Sequence, residues 1–391
     1  MARLSTEQCV LLKNFKNEFI PHAIAETIHD DFERLRENHR LGGEQLCMLI
    51  YGDEGSGKKS IIKAYEDKCK NEEVIDEGKF KVPVLFSEVK LPITVNSFFT
   101  QLLIDLGEFA GAYRKAEGKN KNKDMSKQLE DILKERLIKL ETELIIIYKF
   151  ELLLQFDKKM RIDELANQLK SMAQELGIPL VIIGMPCIKR LMLTSGWRSY
   201  IHICRLIPYF KLSNELEKAF YVKVIKGLSN RAQKLFSFAP KLEDKSISYP
   251  LFAVSSGCFR TIRNYTNKAV LLAVNEGAEE LTIEHFSKVF ERDNEYPLLG
   301  KVDSTNDDSM KKLNESIKDE RDKRDSINPF KISVDKLMVN EVIDYAGSGP
   351  AAKKKKLDGS GTYKYDEESA SEVKFDTRFA DKISINDLLR K

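Results

Sequence analysis

The sequence lacks the features of membrane-spanning and secreted proteins. No run among its 391 residues approaches the roughly 18 consecutive apolar residues that indicate a transmembrane helix. Residues 1–7 lack the apolar stretch of a signal peptide. The six cysteines are scattered without a Cys-x-x-Cys pair or other metal-ligand spacing, which is typical of reduced thiols. We therefore expect a cytoplasmic protein with no membrane contact and no cysteine-held metal.

An excess of charge of either sign is also missing. The formal net charge is +3, with 64 Lys and Arg against 61 Asp and Glu. Any nucleic-acid surface must therefore be a local basic patch. The length allows two or three domains, and a hydrophobic share of 42% is enough to build their cores.

A glycine-rich stretch lies between an apolar run and the start of a helix. Residues 46–51 predict a buried strand, and residues 61–65 predict the helix. Between them lies Gly-Asp-Glu-Gly-Ser-Gly-Lys, which in this context predicts a phosphate-binding P-loop. Backbone N–H groups and the helix N-terminus would face the phosphates. The predicted contacts are Gly52, Gly55, Ser56, Gly57, Lys58, Lys59 and Ser60; the alternative is a glycine-rich turn without a ligand.

The position after the P-loop lysine is unusual. P-loops place Ser or Thr there, and its hydroxyl binds Mg²⁺. Here the residue is Lys59. Ser60 follows one position late, which turns its side chain by about 100° around the helix. The phosphate cradle is thus predicted without its first magnesium ligand.

A second departure follows the next strongly apolar strand. Residues 144–150 predict a central parallel strand, apolar on both faces. In P-loop ATPases this strand ends in Asp, often followed by Glu. Tyr148 and Lys149 occupy these positions. The strand at 180–186 ends in Gly184 and Met185, neither of which offers a polar side chain to contact the nucleotide phosphates. We therefore expect ATP to bind with Mg²⁺ weak or dispensable, and we predict no metal site and no confident catalytic residue.

Four further residues are candidates at the nucleotide. His22 precedes the core and is a candidate to pack near the base, or to cap a helix or lie in a loop. Arg198 is a candidate to act in trans on a neighbour's nucleotide, or it is a surface residue. Arg260 and Arg263 open a later helix, where they contact phosphate or lie at the surface.

A basic stretch is the candidate DNA contact. Half of residues 114–123 are Lys or Arg, and such side chains bind duplex phosphates without regard to base sequence. The alternative is a solvated loop. The predicted DNA-binding residues are Arg114, Lys115, Lys119, Lys121 and Lys123.

Composition and periodicity divide the chain into four segments. We predict an N-terminal helical lead-in at 1–45, an α/β nucleotide-binding core at 46–210 and a small helical lid at 211–300. Residues 301–391 are dense in polar residues and predict a mostly disordered, flexible tail. Two tail peptides, 331–337 and 382–388, echo each other; they predict partner-docking segments, although short stretches also match by chance.

Residues 347–361 contain four consecutive lysines framed by two Gly-Ser-Gly spacers. The run resembles a Myc-type nuclear localisation signal, which indicates an engineered insertion; the alternative is a natural basic linker. With this signal we expect nuclear localisation in eukaryotic cells.

The chain resembles the TnsC/TniB family of AAA+ transposition regulators over residues 5 to about 290. The resemblance rests on 19–22, the P-loop, 144–153, 184–186, 207–210 and 257–263. It implies a parallel three-layer α/β/α AAA+ domain with a helical lid. It also implies ATP-dependent rings or filaments on duplex DNA that link a target-selection complex of the TniQ/Cascade type to transposase subunits. On this resemblance the basic loop faces DNA and the tail holds the transposase.

Three mechanisms remain open at this stage. The first is an assembly factor whose hydrolysis is impaired by Lys59, Tyr148 and Lys149. The second is an active ATPase that uses a displaced carboxylate, supplied by Glu151, Asp157 or Asp53. The third is a DNA-binding scaffold that needs no nucleotide.

Overall fold

The computed structural model describes residues 5–70, 81–91, 94–107, 123–155, 162–193, 195–293 and 328–334. These residues form two compact units. Ala23–Pro208 make the α/β unit, and Met1–His22 together with Tyr209–Lys391 make the helical unit. The helix α1 (Thr6–Asn17) belongs to the helical unit.

The α/β unit is built on five parallel strands in the order β2-β3-β4-β1-β5. Its strands and helices follow one another in the chain as α2 (Ala23–Arg40), β1 (Cys47–Tyr51), α3 (Lys58–Cys69), β2 (Val84–Glu88), α4 (Val95–Asp105), α5 (Lys123–Lys139), β3 (Leu144–Tyr148), α6 (Glu151–Gln155), α7 (Ile162–Leu176), β4 (Leu180–Gly184), a 3-10 helix (Pro186–Leu193), α8 (Ser195–Arg198) and β5 (Ile201–Leu206). The predicted parallel α/β fold is confirmed.

The sheet is buried on both faces because its central strands are apolar at every position. Cys47 and Leu49 of β1 point into one cluster with α4, α5 and α7. The intervening Met48 and Ile50 are equally buried, as the two-residue alternation of a strand requires. This arrangement brings the carboxyl ends of β1, β3 and β4 to one edge of the sheet.

Helix α2 is fixed to the sheet by ion pairs. The guanidinium of Arg205 on β5 donates to both carboxylate oxygens of Asp31, at 2.6 and 3.0 Å. Arg36 and Arg40 both donate to Glu143, just before β3. Asp31 and Arg36 are each only 2% exposed, so these pairs replace the water that the charges lose on folding.

The helical unit contains α1, α9 (Glu215–Ala232), a short 3-10 turn (Gln233–Leu235), α10 (Lys245–Ser255), α11 (Phe259–Glu276) and α12 (Ile283–Asp293). Gly257, before α11, has a φ of +73°, and a Cβ there would collide with the carbonyl of Phe210. Its own carbonyl accepts from the Phe210 N–H at 3.0 Å. A glycine at position 257 therefore lets the backbone at Phe210 pack directly against the start of α11.

The N-terminal segment and one short part of the tail pack onto these units. Residues 1–45 divide between the units, because Phe15 and Ile20 are buried in the helical core whereas Ile28 and Phe32 are buried in the α/β unit. Within the predicted flexible tail, residues 328–334 pack on the helical unit, where Phe330 is 4% exposed. The rest of the tail, with both Gly-Ser-Gly spacers and the second echo peptide, lies outside the described residues.

Among the helices that the structure describes, none has the length and apolar character needed to cross a bilayer.

Candidate nucleotide-binding site

The P-loop connects β1 to α3 at the carboxyl edge of the sheet. Gly55 and Gly57 have φ of 83° and 99°, in the left-handed region that glycine alone adopts at no steric cost. A Cβ on Gly52 would collide with the carbonyl of Ile207. Three of the predicted glycines are thus required by the path of the backbone.

The loop ends as the N-terminus of α3. The N–H of Ser56 donates to Asp53 O at 3.2 Å, and the N–H groups of Ser60 and Ile61 both donate to Gly57 O. Gly57 supplies no side-chain cap. The Ser56 hydroxyl is buried and has no hydrogen-bond partner among the described residues. An unpaired donor inside a glycine cradle at a helix N-terminus fits a phosphate ligand.

Lys58 lies inside the loop and is only 6% exposed. Its Nζ donates to the carbonyl oxygens of Gly52 at 2.5 Å and Asp53 at 2.7 Å, and lies 4.0 Å from Met185 Sδ beyond β4. A phosphate close to this buried ammonium would add the Coulomb attraction between opposite charges, which the neutral carbonyls do not supply.

Lys59 and Lys149 share one carboxylate. Lys59 Nζ lies 3.1 Å from Glu88 Oε2, and Lys149 Nζ lies 2.7 Å from Glu88 Oε1. Burial raises the pKa of Glu88, but the hydrogen bonds from Lys149 and Lys59 outweigh it and hold the pKa below its usual value. The structure therefore brings together two of the three substituted positions through Glu88, a residue that sequence reasoning did not single out.

The third substituted position is at the end of β3. Tyr148 pairs in register with Glu88 of β2 and with Ile183 of β4, and Tyr51 of β1 pairs with Gly184. The ends of these strands are thus level with the start of the P-loop. Lys149 follows with a φ of 60°, which marks the abrupt end of the strand.

The carboxylate of Glu151 lies beside the end of β4. Its Oε2 accepts the backbone N–H of Met185 at 3.1 Å, and the missing side chain of Gly184 leaves room for it. Of the other displaced carboxylates, Asp53 is an exposed residue of the P-loop and Asp157 lies outside the described residues. The close approach of Glu151 to Gly184 was not predictable from spacing.

The chemistry of the site fits polyphosphate and does not fit a magnesium centre. Mg²⁺ takes hard oxygen ligands in octahedral geometry. Positions 59, 148 and 149 supply two ammonium groups and a phenol, and Glu88 is paired with both ammonium groups. Within the part of the chain that the structure describes, no group of three or more His, Cys, Asp and Glu side chains is arranged to hold a metal ion.

The remaining candidates lie in different parts of the fold. His22 packs against Phe19 and Phe220 in the helical unit, with ring centroids 6.3 and 5.9 Å away. Arg263 donates to the carbonyls of Lys16 and Glu18, and burial, together with the charge of Arg231, lowers its pKa. His22 and Arg263 thus have contacts within the helical unit, and their contacts with a nucleotide stay predictions.

Arg198 is exposed at the end of α8, and Arg260 is exposed on the first turn of α11. Of the predicted DNA-binding residues, Lys123 begins α5. The other four, Arg114, Lys115, Lys119 and Lys121, lie outside the described residues.

A parallel sheet in the order β2-β3-β4-β1-β5, with a P-loop after β1 and a separate helical unit, defines an AAA+ protein. Residues 13–195 match the family model described as bacterial TniB protein. This match, over slightly less than half of the chain, confirms the predicted resemblance to the TnsC/TniB family.

Two solved structures resemble the chain at low sequence identity. The Aeropyrum pernix ORC2 protein, in ADPNP-ADP complexes, aligns with a TM-score of 0.53 at 14% identity over 73% of this chain and 72% of that one. The ORC1 protein of the same organism, in complex with DNA, aligns with a TM-score of 0.49 at 17% identity over 75% of each chain. The search of curated proteins finds no match.

Proposed function

We propose that the chain is a TnsC/TniB-type transposition regulator that binds ATP, assembles on duplex DNA and connects a target-selection complex to a transposase, with little ATP hydrolysis. One observation carries the proposal: a TniB-type P-loop keeps its glycine cradle and Lys58, while Lys59 and Lys149, paired through Glu88, occupy positions of metal-binding groups.

Nucleotide binding is supported by the residues around the loop. The glycine backbone, the unpaired Ser56 hydroxyl and the α3 N-terminus supply donors, and Lys58 supplies a charge. The ADPNP and ADP of the ORC2 structure support a nucleoside polyphosphate as the ligand. Lys59 and Lys149 add two positive charges beside the cradle, which favours an anion without a metal counter-ion.

Impaired hydrolysis follows from the side chains at the ends of β2 and β3. A positioned general base contributes about 10²- to 10⁴-fold to a rate, and neither Tyr148 nor Lys149 is a carboxylate. Glu88 is held by two lysines. Among the described residues, Glu151 lies beside the end of β4, where it accepts the Met185 N–H. This contact supports the alternative of an ATPase with a shifted base.

The deciding experiment measures ATP affinity by calorimetry with Mg²⁺ and with a chelator, and phosphate release in parallel. We expect the two affinities to agree within about tenfold, and the Lys58→Ala variant to lose binding in both. A strict need for Mg²⁺ would contradict the proposal. Phosphate release above background that Lys58→Ala abolishes would favour the Glu151 alternative, and assembly on DNA without any ATP binding would favour the nucleotide-independent scaffold.

DNA binding is supported by the basic stretch 114–123 and by the family. We propose that its Lys and Arg side chains contact phosphates, and each contact should contribute about 0.9 to the slope of log affinity against log salt. Replacing the five basic residues by Gln should lower the slope. A matched control replaces five exposed lysines of the helical unit: Lys223, Lys226, Lys234, Lys241 and Lys245. Equal slopes in the two variants would indicate a solvated loop.

Assembly and bridging are the last parts of the proposal. Electron microscopy with duplex DNA, with and without ATP and Mg²⁺, tests assembly directly: rings or filaments on DNA support it, and isolated particles under every condition contradict it. Scrambling residues 382–388 in the full chain tests the tail as a transposase contact, because co-purification with transposase subunits should then be lost.

A further inference from the structure

A short segment of the tail, residues 328–334, returns to the helical unit and packs along α12. Asn328 is 0% exposed and Phe330 is 4% exposed, values typical of a core. The segment follows 34 residues of sequence after Asp293, the last residue of α12. Closeness in the sequence therefore does not explain its placement. The segment is held there by its contacts with α12.

The amide of Asn328 makes the polar part of this contact. Its Nδ2 donates to Ser287 Oγ at 3.0 Å and to Glu291 Oε1 at 3.3 Å, and it lies 3.4 Å from the Ser287 carbonyl oxygen. Its Oδ1 accepts the N–H of Phe330 at 3.1 Å, and its carbonyl accepts the N–H of Lys331 at 3.0 Å. Asn-Pro-Phe-Lys is thus a turn closed by its own asparagine, with the amide donors turned to α12.

An aromatic and a cationic contact complete the recognition. The ring centroid of Phe330 lies 5.6 Å from that of Phe286, at an interplanar angle of 27°, and 6.5 Å from that of Phe290. Lys331 Nζ lies 2.8 Å from Glu291 Oε1. An amide, a ring and an ammonium group, on Asn328, Phe330 and Lys331 of one turn, each meet a matching group on one helix face.

We propose that this face of α12, formed by Phe286, Ser287, Phe290 and Glu291, is a peptide-binding site for an Asn-Pro-Phe-Lys turn, and that it accepts the turn from a second copy of the chain. The contacts come from three residues within one four-residue turn, so the same turn in a second copy of the chain presents the same groups. At about 3.3 Å per extended residue, the intervening 34 residues reach well beyond the chain's own site.

In dilute solution the chain's own turn is favoured, because a turn on the same polypeptide has a higher effective concentration at the site than one on a second molecule. When copies are held side by side, the turn of a neighbouring copy reaches a similar local concentration and competes for the site on α12. The site would then link neighbouring copies, which is a role separate from nucleotide binding.

The test removes the competing turn from one copy and the site from another. The acceptor carries Phe330→Ala and Lys331→Ala, and the donor carries Ser287→Arg and Glu291→Gln. A carbodiimide couples Lys331 to Glu291 only where their ion pair forms, and in the mixture the two residues lie on different copies. We expect a cross-linked dimer from the mixture and none from either variant alone, while the unaltered chain gives the intrachain product. Neither ATP nor DNA is needed, so failure of the proposed function would leave this test unaffected.

Circular dichroism establishes that each variant is folded. If a variant does not fold, Asn328→Ala with Lys331→Ala serves as acceptor and a labelled peptide of residues 326–336 serves as donor, read by fluorescence anisotropy. The same peptide with Asn328→Ala should bind roughly tenfold more weakly. Absence of the dimer and of peptide binding would overturn the proposal; peptide binding without the dimer would overturn exchange between copies.

Discussion

Lys149 Nζ lies 2.7 Å from Glu88 Oε1, and this ion pair joins the ends of the paired strands β2 and β3. The other oxygen of the same carboxylate is taken by Lys59, on the first turn of α3. One acidic side chain therefore holds two cations at an edge of the sheet where AAA+ proteins otherwise hold a metal ion.

Removing that carboxylate should strengthen nucleotide binding. In the Glu88→Gln variant, Lys59 and Lys149 lose their shared counter-ion, and their charge becomes available to a polyphosphate. All three side chains are partly exposed, so we expect only a several-fold gain in ATP affinity in the presence of a chelator. Calorimetry at low and high salt measures it, since the gain should shrink as salt screens the charges.

Glu141→Gln is the matched control, because Glu141 pairs with Lys81 and has no contact with Lys59 or Lys149 among the described ion pairs. Weaker ATP binding in Glu88→Gln would show instead that the carboxylate positions the lysines for the ligand.

Restoring the metal-binding groups should create magnesium dependence. The triple variant Lys59→Thr, Tyr148→Asp and Lys149→Glu places a hydroxyl and two carboxylates at the strand and helix ends. We expect ATP affinity to become dependent on Mg²⁺ and phosphate release to rise by at least about 10²-fold. Adding Lys58→Ala should abolish the gain. If the triple variant stays folded and remains indifferent to Mg²⁺, then positions 59, 148 and 149 do not surround the nucleotide phosphates.

The pair between Arg205 and Asp31 should be important for stability. Arg205→Ala leaves the Asp31 carboxylate, now 2% exposed, without its two-point partner. We expect a loss of about 3–5 kcal/mol in the free energy of unfolding, as for a broken buried pair. Urea denaturation measures it. The double variant Asp31→Leu and Arg205→Leu should lose much less, because it leaves no buried unpaired charge; Arg34, which also lies near Asp31, is exposed to water. An equal loss would mean that packing, not charge, explains the effect.

Glu143 should make the stability of the α/β unit depend on pH in the acidic range. Burial raises its pKa, but hydrogen bonds from Arg40 and Arg36 outweigh this and hold the pKa below its ordinary 4.5. The folded state thus binds this proton less readily than the unfolded state. The contribution of Glu143 is complete above pH 4.5 and is lost as pH falls through the lower folded value.

Thermal melts across this range compare the unaltered chain with Glu143→Gln. The variant should be less stable at neutral pH, and its melting temperature should fall less steeply on acidification. Parallel curves would contradict a role for Glu143 in acid sensitivity.

The strands and the P-loop were predictable because their signals are local. Apolar runs of five residues, such as 144–148, specify buried parallel strands, and the glycine spacing around Lys58 specifies the loop. The substitutions at 59, 148 and 149 were also visible as departures from a pattern.

The partners of those residues were not predictable. Glu88 pairs with Lys59 and Lys149 only because strand pairing brings distant segments together. Residues 328–334 are too short a segment to show a periodicity, and their burial depends on Phe286 and Ser287 of α12. Tertiary contacts of this kind produce no recognisable residue pattern in the sequence.

The helical unit is built from two stretches of the chain, one before and one after the α/β unit in the sequence. Arg263 on α11 donates to the carbonyls of Lys16 and Glu18, and Arg231 pairs with the Glu18 carboxylate. During synthesis on the ribosome, α1 emerges first, but its partners follow only after the whole of Ala23–Pro208 has been made. The continuous α/β unit can therefore fold while the polypeptide is still growing, and α1 must wait until α9 and α11 have been translated.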